Sequence, residues 1–265
     1  MKYQPDELFR STAPYYARYR AGYPRELFTH LAERFSLDGT QLTLDLGCGT
    51  GQIAIPLAAH VREVVAVDPE PSMLDEGKAL ADEQGITNID WRRGDSYHLA
   101  QLGLDDLALT TMGASFHWME RPAVLKTLDQ LTQPGGAVVV VSGGTPERAD
   151  QPGWHETVTA VRTRWLGTER RAGSGAYTHP PQRHEEILVE SPFGHVEVVD
   201  WTWTLERDLD SVIGLQFSYS YSAPALLGDN ADAFAAELRR KLLAANPTGR
   251  WTETVRTEAI IATRP

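Results

Sequence analysis

The stretch LTLDLGCGTG at 42–51 constrains this chain more than any other. A short apolar run, Leu42–Leu46, carries one acid, Asp45, and ends in glycines spaced GxGxG at Gly47, Gly49 and Gly51. Glycines at such a junction let the backbone turn tightly and approach a ligand closely. The pattern predicts a buried strand, a sharp turn and a helix over 52–60. Further apolar runs predict strands at Glu63–Val67, Ile89–Arg92, Leu107–Met112 and Ala137–Ser142, with helices at 72–84 and 122–131. Gly85 reads as the cap of the first of these helices, and Gln133–Gly136 as a turn closing the second. Near-continuous apolar strands alternating with helices predict an α/β, Rossmann-like fold: a mostly parallel sheet with helices on both faces.

The alternation stops after Ser142. Residues 145–192 are polar and rich in Gly, Pro, Arg and His, with one helix expected near 153–166. Strand patterning returns at 195–204, a helix is expected at 229–245, and a last strand at 251–263, which makes a seven-stranded sheet. The expected organisation is a single domain, 1–265. Within it, 1–36 forms an N-terminal helical cap broken at Gly22–Pro24, and 37–144 the ligand-binding core. An inserted lid at 145–194 separates strands five and six, and 195–265 completes the sheet. An insertion there belongs over the carboxyl ends of the strands, where open α/β sheets bind ligands.

Bulk properties narrow the partners. A net charge of −11 argues against nucleic acid, whose binding is dominated by phosphate neutralisation. No apolar run reaches the ~18 residues of a membrane helix, and the first residues lack the apolar segment of a secretory signal. The single cysteine, Cys48, excludes an internal disulfide framework and fits a reducing compartment, so the cytoplasm is expected. Between two loop glycines, Cys48 reads as a small side chain filling a tight turn. The expected partner is a small molecule.

The GxGxG spacing differs from the GxGxxG that sets a pyrophosphate on a helix N-terminus. Asp45 would repel a pyrophosphate but attract an ammonium group. Asp68 ends the second strand, where an acid can grip both hydroxyls of a ribose. Gly94-Asp95-Ser96 follows the third strand, and its acid can accept a bond from an adenine amino group. With LDLGCGTG, VDPE, GDS and PGG in this order, the stretch 42–142 resembles the class I S-adenosylmethionine-dependent methyltransferases. The resemblance implies S-adenosylmethionine as cofactor and S-adenosylhomocysteine as product. It places Asp45, Gly47, Gly49 and Gly51 near the methionine moiety, Asp68 on the ribose, Asp95 and Ser96 beside adenine, and Met73 against the adenine ring. It also makes the N-terminal segment, with four tyrosines and two arginines in 15–24, a cover for the cofactor. Arg20 would then pair with the cofactor carboxylate, with Tyr15 and Tyr19 as pocket wall.

Methyl transfer needs chiefly alignment, plus a base when the nucleophile holds a proton. The end of the fourth strand, Met112-Gly113-Ala114-Ser115-Phe116-His117-Trp118, should face the methyl group. Met112 is assigned to the cofactor, His117 to the base or to orienting the loop, and Trp118 to the pocket wall. The Asn/Asp-Pro-Pro-aromatic signature of nucleic-acid amino methylation is absent here. The insertion places Arg162, Arg164, Glu169, Arg170, Arg171, Tyr177, His179, Arg183 and His184 in an otherwise acidic chain. Read blandly it is a solvated loop; read sharply it is an anion site on a glycine-containing lid.

The whole chain also resembles bacterial small-molecule methyltransferases of specialised metabolism, some of which methylate a carbon of a prenyl diphosphate. Such a reaction needs a diphosphate clamp and a carboxylate base, roles open to Arg170, Arg171 and Arg183 and to Glu169, with Tyr177 a further catalytic candidate. Trp201, Trp203, Phe217 and Tyr221 would form an aromatic wall for a carbocation. A magnesium ion would accompany a diphosphate; Arg183-His184-Glu185-Glu186-Ile187 lacks the second histidine of a zinc motif. The expectation is methyl transfer to a small, anionic acceptor. The alternatives are a prenyl diphosphate C-methyltransferase and an S-adenosylmethionine-binding enzyme of non-methylating chemistry.

Overall fold

The apolar runs of the first half become strands that are largely buried, except the edge strand Ile89–Arg93, which is half-buried. The structure is a computed structural model that describes residues 11–144, 152–168 and 182–265, with the backbone of 171–172 and 175–176. The first half runs α1 (Ala13–Tyr19), α2 (Arg25–Arg34), β1 (Leu42–Leu46), α3 (Ala54–Leu57), β2 (Glu63–Asp68), α4 (Pro71–Glu83), β3 (Ile89–Arg93), β4 (Leu107–Gly113), α5 (Arg121–Leu131) and β5 (Thr132–Gly144). Then come α6 (His155–Leu166), the two-residue strands β6 (Arg171–Ala172) and β7 (Gly175–Ala176), and α7 (His184–Val189). The chain ends with β8 (His195–Asp208), α8 (Leu209–Phe217), α9 (Pro224–Leu227), α10 (Ala231–Ala245) and β9 (Arg250–Thr263). The seven-stranded sheet has the order β3-β2-β1-β4-β5-β9-β8, and its β3/β2, β2/β1, β1/β4 and β4/β5 pairs are parallel. Strand order reverses at β1, whose neighbours β2 and β4 lead away in opposite directions. The loop after β1 therefore lies at the switch point where open α/β sheets take ligands.

By backbone proximity the chain forms two compact units. The larger comprises Gly22–Gly143, His179–Trp201 and Thr257–Pro265. Strand side chains in it alternate between two cores, as a period of two requires. Leu44, Leu46, Val65, Val67, Val138 and Val140 meet Val124, Leu125 and Leu128 of α5 and Ile187 and Leu188 of α7. Val64, Ala66, Leu109, Val139 and Val141 meet Leu27, Phe28 and Leu31 of α2, Leu57 of α3 and Leu74 of α4. No helix among the described residues is long and apolar enough to cross a membrane.

The second unit is drawn from Met1–Ala21, Gly144–Thr178 and Thr202–Arg256. Its core joins Trp154, Val158 and Val161 of α6, Val212 and Phe217 of α8, Phe234, Leu238 and Leu242 of α10, and Trp251 of β9. Helix α1 is pinned to it three ways. Tyr15 packs on Phe217 at 5.0 Å. Arg207 Nη1 donates to the Tyr19 carbonyl at 2.6 Å, while its Nε donates to the buried Glu253 carboxylate at 2.7 Å. The Tyr19 ring lies over Gly214 of α8, where a Cβ would stand 2.2 Å from a ring carbon.

Three local expectations change. The helix at 52–60 is shortened to α3 and a 3-10 turn at Ala58–His60, because the glycine turn continues to Ile53. Gln133–Gly136 does not close α5 but is an excursion within β5: Leu107 pairs with Thr132, and the next partner, Leu109, pairs with Ala137. Gly135 takes the turn with φ +79°. Helix α8 went unpredicted because Val212–Phe217 is buried continuously and shows no polar face; its start is marked by Asp208, which accepts from Ser211 N at 2.8 Å.

Gly214→Ala is expected to lower the melting temperature by several degrees. The overpacking cost of about 1–3 kcal/mol exceeds the helix-propensity gain of about 1 kcal/mol. In a Tyr19→Leu background, measured by the same thermal unfolding, most of that added loss should vanish.

Candidate functional site

Asp45 organises the end of β1. It is 1% exposed, accepts from Ala54 N at 3.1 Å and from the Thr111 hydroxyl of β4 at 2.9 Å, and so ties β1, the first turn of α3 and β4 together. Burial pushes its carboxyl up to about 7 against those two bonds, and Asp68 adds to the rise. Asp68, at the end of β2, accepts from Gly49 N at 2.9 Å and Glu70 N at 2.9 Å; burial raises it to about 6, with a further push from Glu70. The charges that act on this pair are thus other acids. The same surroundings hold the Cys48 thiol well above its usual range, so it is inert rather than nucleophilic.

The loop is shaped by its underside. Gly47 has φ +73°, and a Cβ there would stand 2.5 Å from Ser115, whose hydroxyl donates to Leu46 O at 2.7 Å. A Cβ on Gly51 or on Gly77 of α4 would meet the Trp91 ring at 2.6 Å, so one indole of β3 supports both the loop and the helix after β2. At the ends of β4 and β5, Gly113 and Gly143 both face Tyr23.

The turn after β4 adjoins this loop through Ser115. It opens with Ala114 at φ +51° and continues as a 3-10 turn, Phe116–Trp118. Phe116 is buried in the core, and the His117 ring lies 4.7 Å from Trp118 and 6.5 Å from the His184 ring. His184, first residue of α7, also packs on Phe116 at 5.2 Å. Arg121, first residue of α5, donates from Nη1 to Gln182 O at 2.9 Å and faces His184 Nδ1 at 3.3 Å. Burial lowers the His184 pKa, Arg121 lowers it further, and Glu185 opposes them.

Residues 43–136 match the family model of the methyltransferase domain. An uncharacterised methyltransferase-like protein of Schizosaccharomyces pombe is 27% identical over 60% of this chain and 59% of its own length. An uncharacterised methyltransferase of Mycobacterium tuberculosis is 26% identical over 90% of this chain and 86% of its own. The chain thus spans about three-fifths of the yeast relative. The solved structure of an S-adenosylmethionine-dependent methyltransferase from Thiobacillus denitrificans, bound to S-adenosylhomocysteine, shares the fold at a TM-score of 0.52, with 15% identity and 97% of both chains covered.

In the larger unit, the structure gathers Asp45, Gly47, Gly49, Gly51 and Asp68 at the switch point. Met73 is buried in α4. Asp95 Oδ1 accepts from Tyr97 N, His98 N and the His98 ring, which leaves Oδ2 without a bond among the described residues; Ser96 follows it in the same turn. The Met112 side chain is spent in the core, beside Leu44, Val138 and Phe193. Trp201 packs edge-on against His30 of α2 at 5.6 Å, on the sheet face that α2 covers.

The other candidates belong to the second unit or to the insertion. Tyr15 and Phe217 are mutual packing partners. The Arg20 guanidinium lies between the rings of Tyr16 (4.7 Å) and Tyr219 (4.3 Å) and donates to Ser218 O at 3.2 Å; its buried Nε has no partner there. Tyr219 stacks on Tyr221 at 5.0 Å, and Arg162 caps Tyr221 at 5.1 Å. Trp203 is half-buried on β8. Arg164 is paired with Glu237, and the exposed Arg183 with Glu185 at 2.9 Å. Glu169, Arg170, Tyr177 and His179 lie outside the described residues, and Arg171 is described only in its backbone. Sequence reasoning missed Trp91, Thr111 and Arg121, and it gave Ser115 and Tyr23 no packing role beneath the loop and strand ends. Thr111, a hydroxyl inside an apolar strand, carried a readable signal.

The folded chain binds the protons of Asp45 and Asp68 more tightly than the unfolded one, whose reference value is 3.8. Their stabilising contribution is full below that value and is lost as pH rises through about 6 to 7. Thermal unfolding followed from about pH 5 to 8 should show a flatter profile for Asp45→Asn than for wild type. The difference should be of the order of a few kcal/mol.

Proposed function

We propose that this protein is an S-adenosylmethionine-dependent methyltransferase acting on a small-molecule acceptor. The observation that carries the reading is the bond from Gly49 N to Asp68 across the β1 and β2 ends. It holds the glycine loop open beside a carboxylate that keeps lone pairs for a vicinal diol. The donor set suits the cofactor: buried acids without a cation among their electrostatic partners in the described residues favour a positively charged ligand, and a backbone turned by positive φ admits it closely. Asp45 and the loop would lie by the methionine end, Asp68 on the ribose, and Asp95, Ser96 and Met73 around adenine. The bound group supplies a methyl already activated on a sulfonium. The protein's part is then alignment and, for an acceptor that carries a proton, removal of that proton, for which His117 is placed on the turn abutting the loop. The S-adenosylhomocysteine complex of the Thiobacillus denitrificans structure supports this choice of cofactor.

Incubation with methyl-labelled cofactor and a panel of phenols, amines, carboxylates and prenyl diphosphates should transfer label to at least one acceptor. By calorimetry, Asp68→Ala should weaken S-adenosylmethionine binding by at least about a hundredfold, as expected when two charge-assisted hydrogen bonds of about 1.5–3 kcal/mol each are lost. Unchanged affinity would remove the site assignment.

A further inference from the structure

We propose that His184 is an acceptor-binding residue, fixed by Arg121 as a hydrogen-bond donor, and that it selects an acceptor with an oxygen at or beside the methylated atom. The inference rests on the methyltransferase reading above and deepens it to a class of substrate.

The geometry starts at Arg121. A guanidinium has donors and no acceptor, so its approach to His184 Nδ1 at 3.3 Å requires a lone pair on that nitrogen. The proton of the neutral ring then resides on Nε2, which makes no hydrogen bond among the described residues. Arg121 also holds Gln182 O at 2.9 Å, so the chain entering α7 and the ring at its start are set by one side chain. The ring rests on Phe116 at 5.2 Å and lies 6.5 Å from His117, both on the turn that Ser115 fastens to the glycine loop. His184 is thus one ring removed from the turn that faces the transferring methyl.

The groups acting on His184 are Arg121 from α5 and Glu185 from its own helix, with Phe116 and His117 against its face. Burial and Arg121 outweigh Glu185, so the ring stays neutral and remains a donor. A fixed N–H donor backed by a permanent cation favours a phenol, phenolate or enolate oxygen. It disfavours an aromatic amine, which is a poor acceptor, and a cationic amine, which Arg121 repels.

Two measurements on the full chain test this. In histidine-labelled protein, long-range proton–nitrogen spectra should show His184 as the Nε2–H tautomer at neutral pH, and Arg121→Gln should move its titration upward. A Nδ1–H or charged ring in wild type would overturn the proposal. Protocatechuate, which carries vicinal hydroxyls, and its diamino analogue are then titrated into the chain saturated with S-adenosylhomocysteine. Protocatechuate should bind more tightly, His184→Ala should weaken it about tenfold, as one lost hydrogen bond predicts, and His184→Gln should recover most of that. Equal binding of the two probes, no binding of protocatechuate at millimolar concentration, or an unaffected Ala variant would overturn it. Loss of S-adenosylhomocysteine binding in wild type would instead sink the cofactor reading, so the two failures are distinguishable.

Discussion

The carboxylate of Asp45 is buried where β1 ends, and most of what surrounds it is arranged to make that tolerable. A charge withdrawn from water costs several kcal/mol unless it is hydrogen-bonded or neutralised. Ala54 N and the Thr111 hydroxyl meet the requirement in part, and in doing so they set the start of α3 and the register of β4 against β1. The rest of the penalty shows as a proton held up to about 7. Asp68 repeats the arrangement one strand away, with backbone amides of the glycine loop and of Glu70, just before α4, as its donors. The result is a pair of buried acids held by amides of the glycine loop, of α3 and of the turn before α4, and by one hydroxyl of β4. A cationic ligand would complete the charge balance there.

Below that pocket, packing is set by a few large side chains meeting glycines. Trp91 fills the space under both Gly51 and Gly77, and Ser115 fills the space under Gly47. Gly47 and Gly51, both at positive φ, are therefore used twice, for backbone freedom above and for close approach beneath, whereas Gly77 within α4 serves close approach alone. In the second unit, Tyr19 over Gly214 uses the same device, and the buried Arg207–Glu253 pair holds the end of α1 through its carbonyl.

The strands and the loop were legible because they repeat one signal: apolar runs, each followed by a helix or a glycine turn. Asp45, Asp68 and the three loop glycines could be placed from spacing alone, since strand ends and turns fix where such residues point. Helix α8 was not legible, because a helix buried on every side shows no period of 3.6. The excursion at 133–136 was read as a turn, which is its local geometry; only pairing with β4 shows that the strand resumes around it. Arg121 and His184 are 63 positions apart, and no local pattern links them. Met112 and Trp201 could be assigned to a strand from sequence but not to a face; Met112 is buried in the core that α5 covers, and Trp201 is half-buried against His30.

The second unit is assembled from three separated stretches of chain. Tyr15 of the first meets Phe217 of the third, and Arg164 and Trp165 of the second both bond Glu237 of the third. No contiguous fragment contains this unit, so recombination cannot exchange it as a cassette. Drift in any one stretch is checked by its partners in the others, and a lineage can diversify this unit only by coordinated substitution or by lengthening the loops between the anchors. The stretch 43–136 that matches the methyltransferase-domain model is continuous in sequence and carries no such restriction. Family resemblance should therefore persist longest in that continuous stretch and fade first in the distributed one.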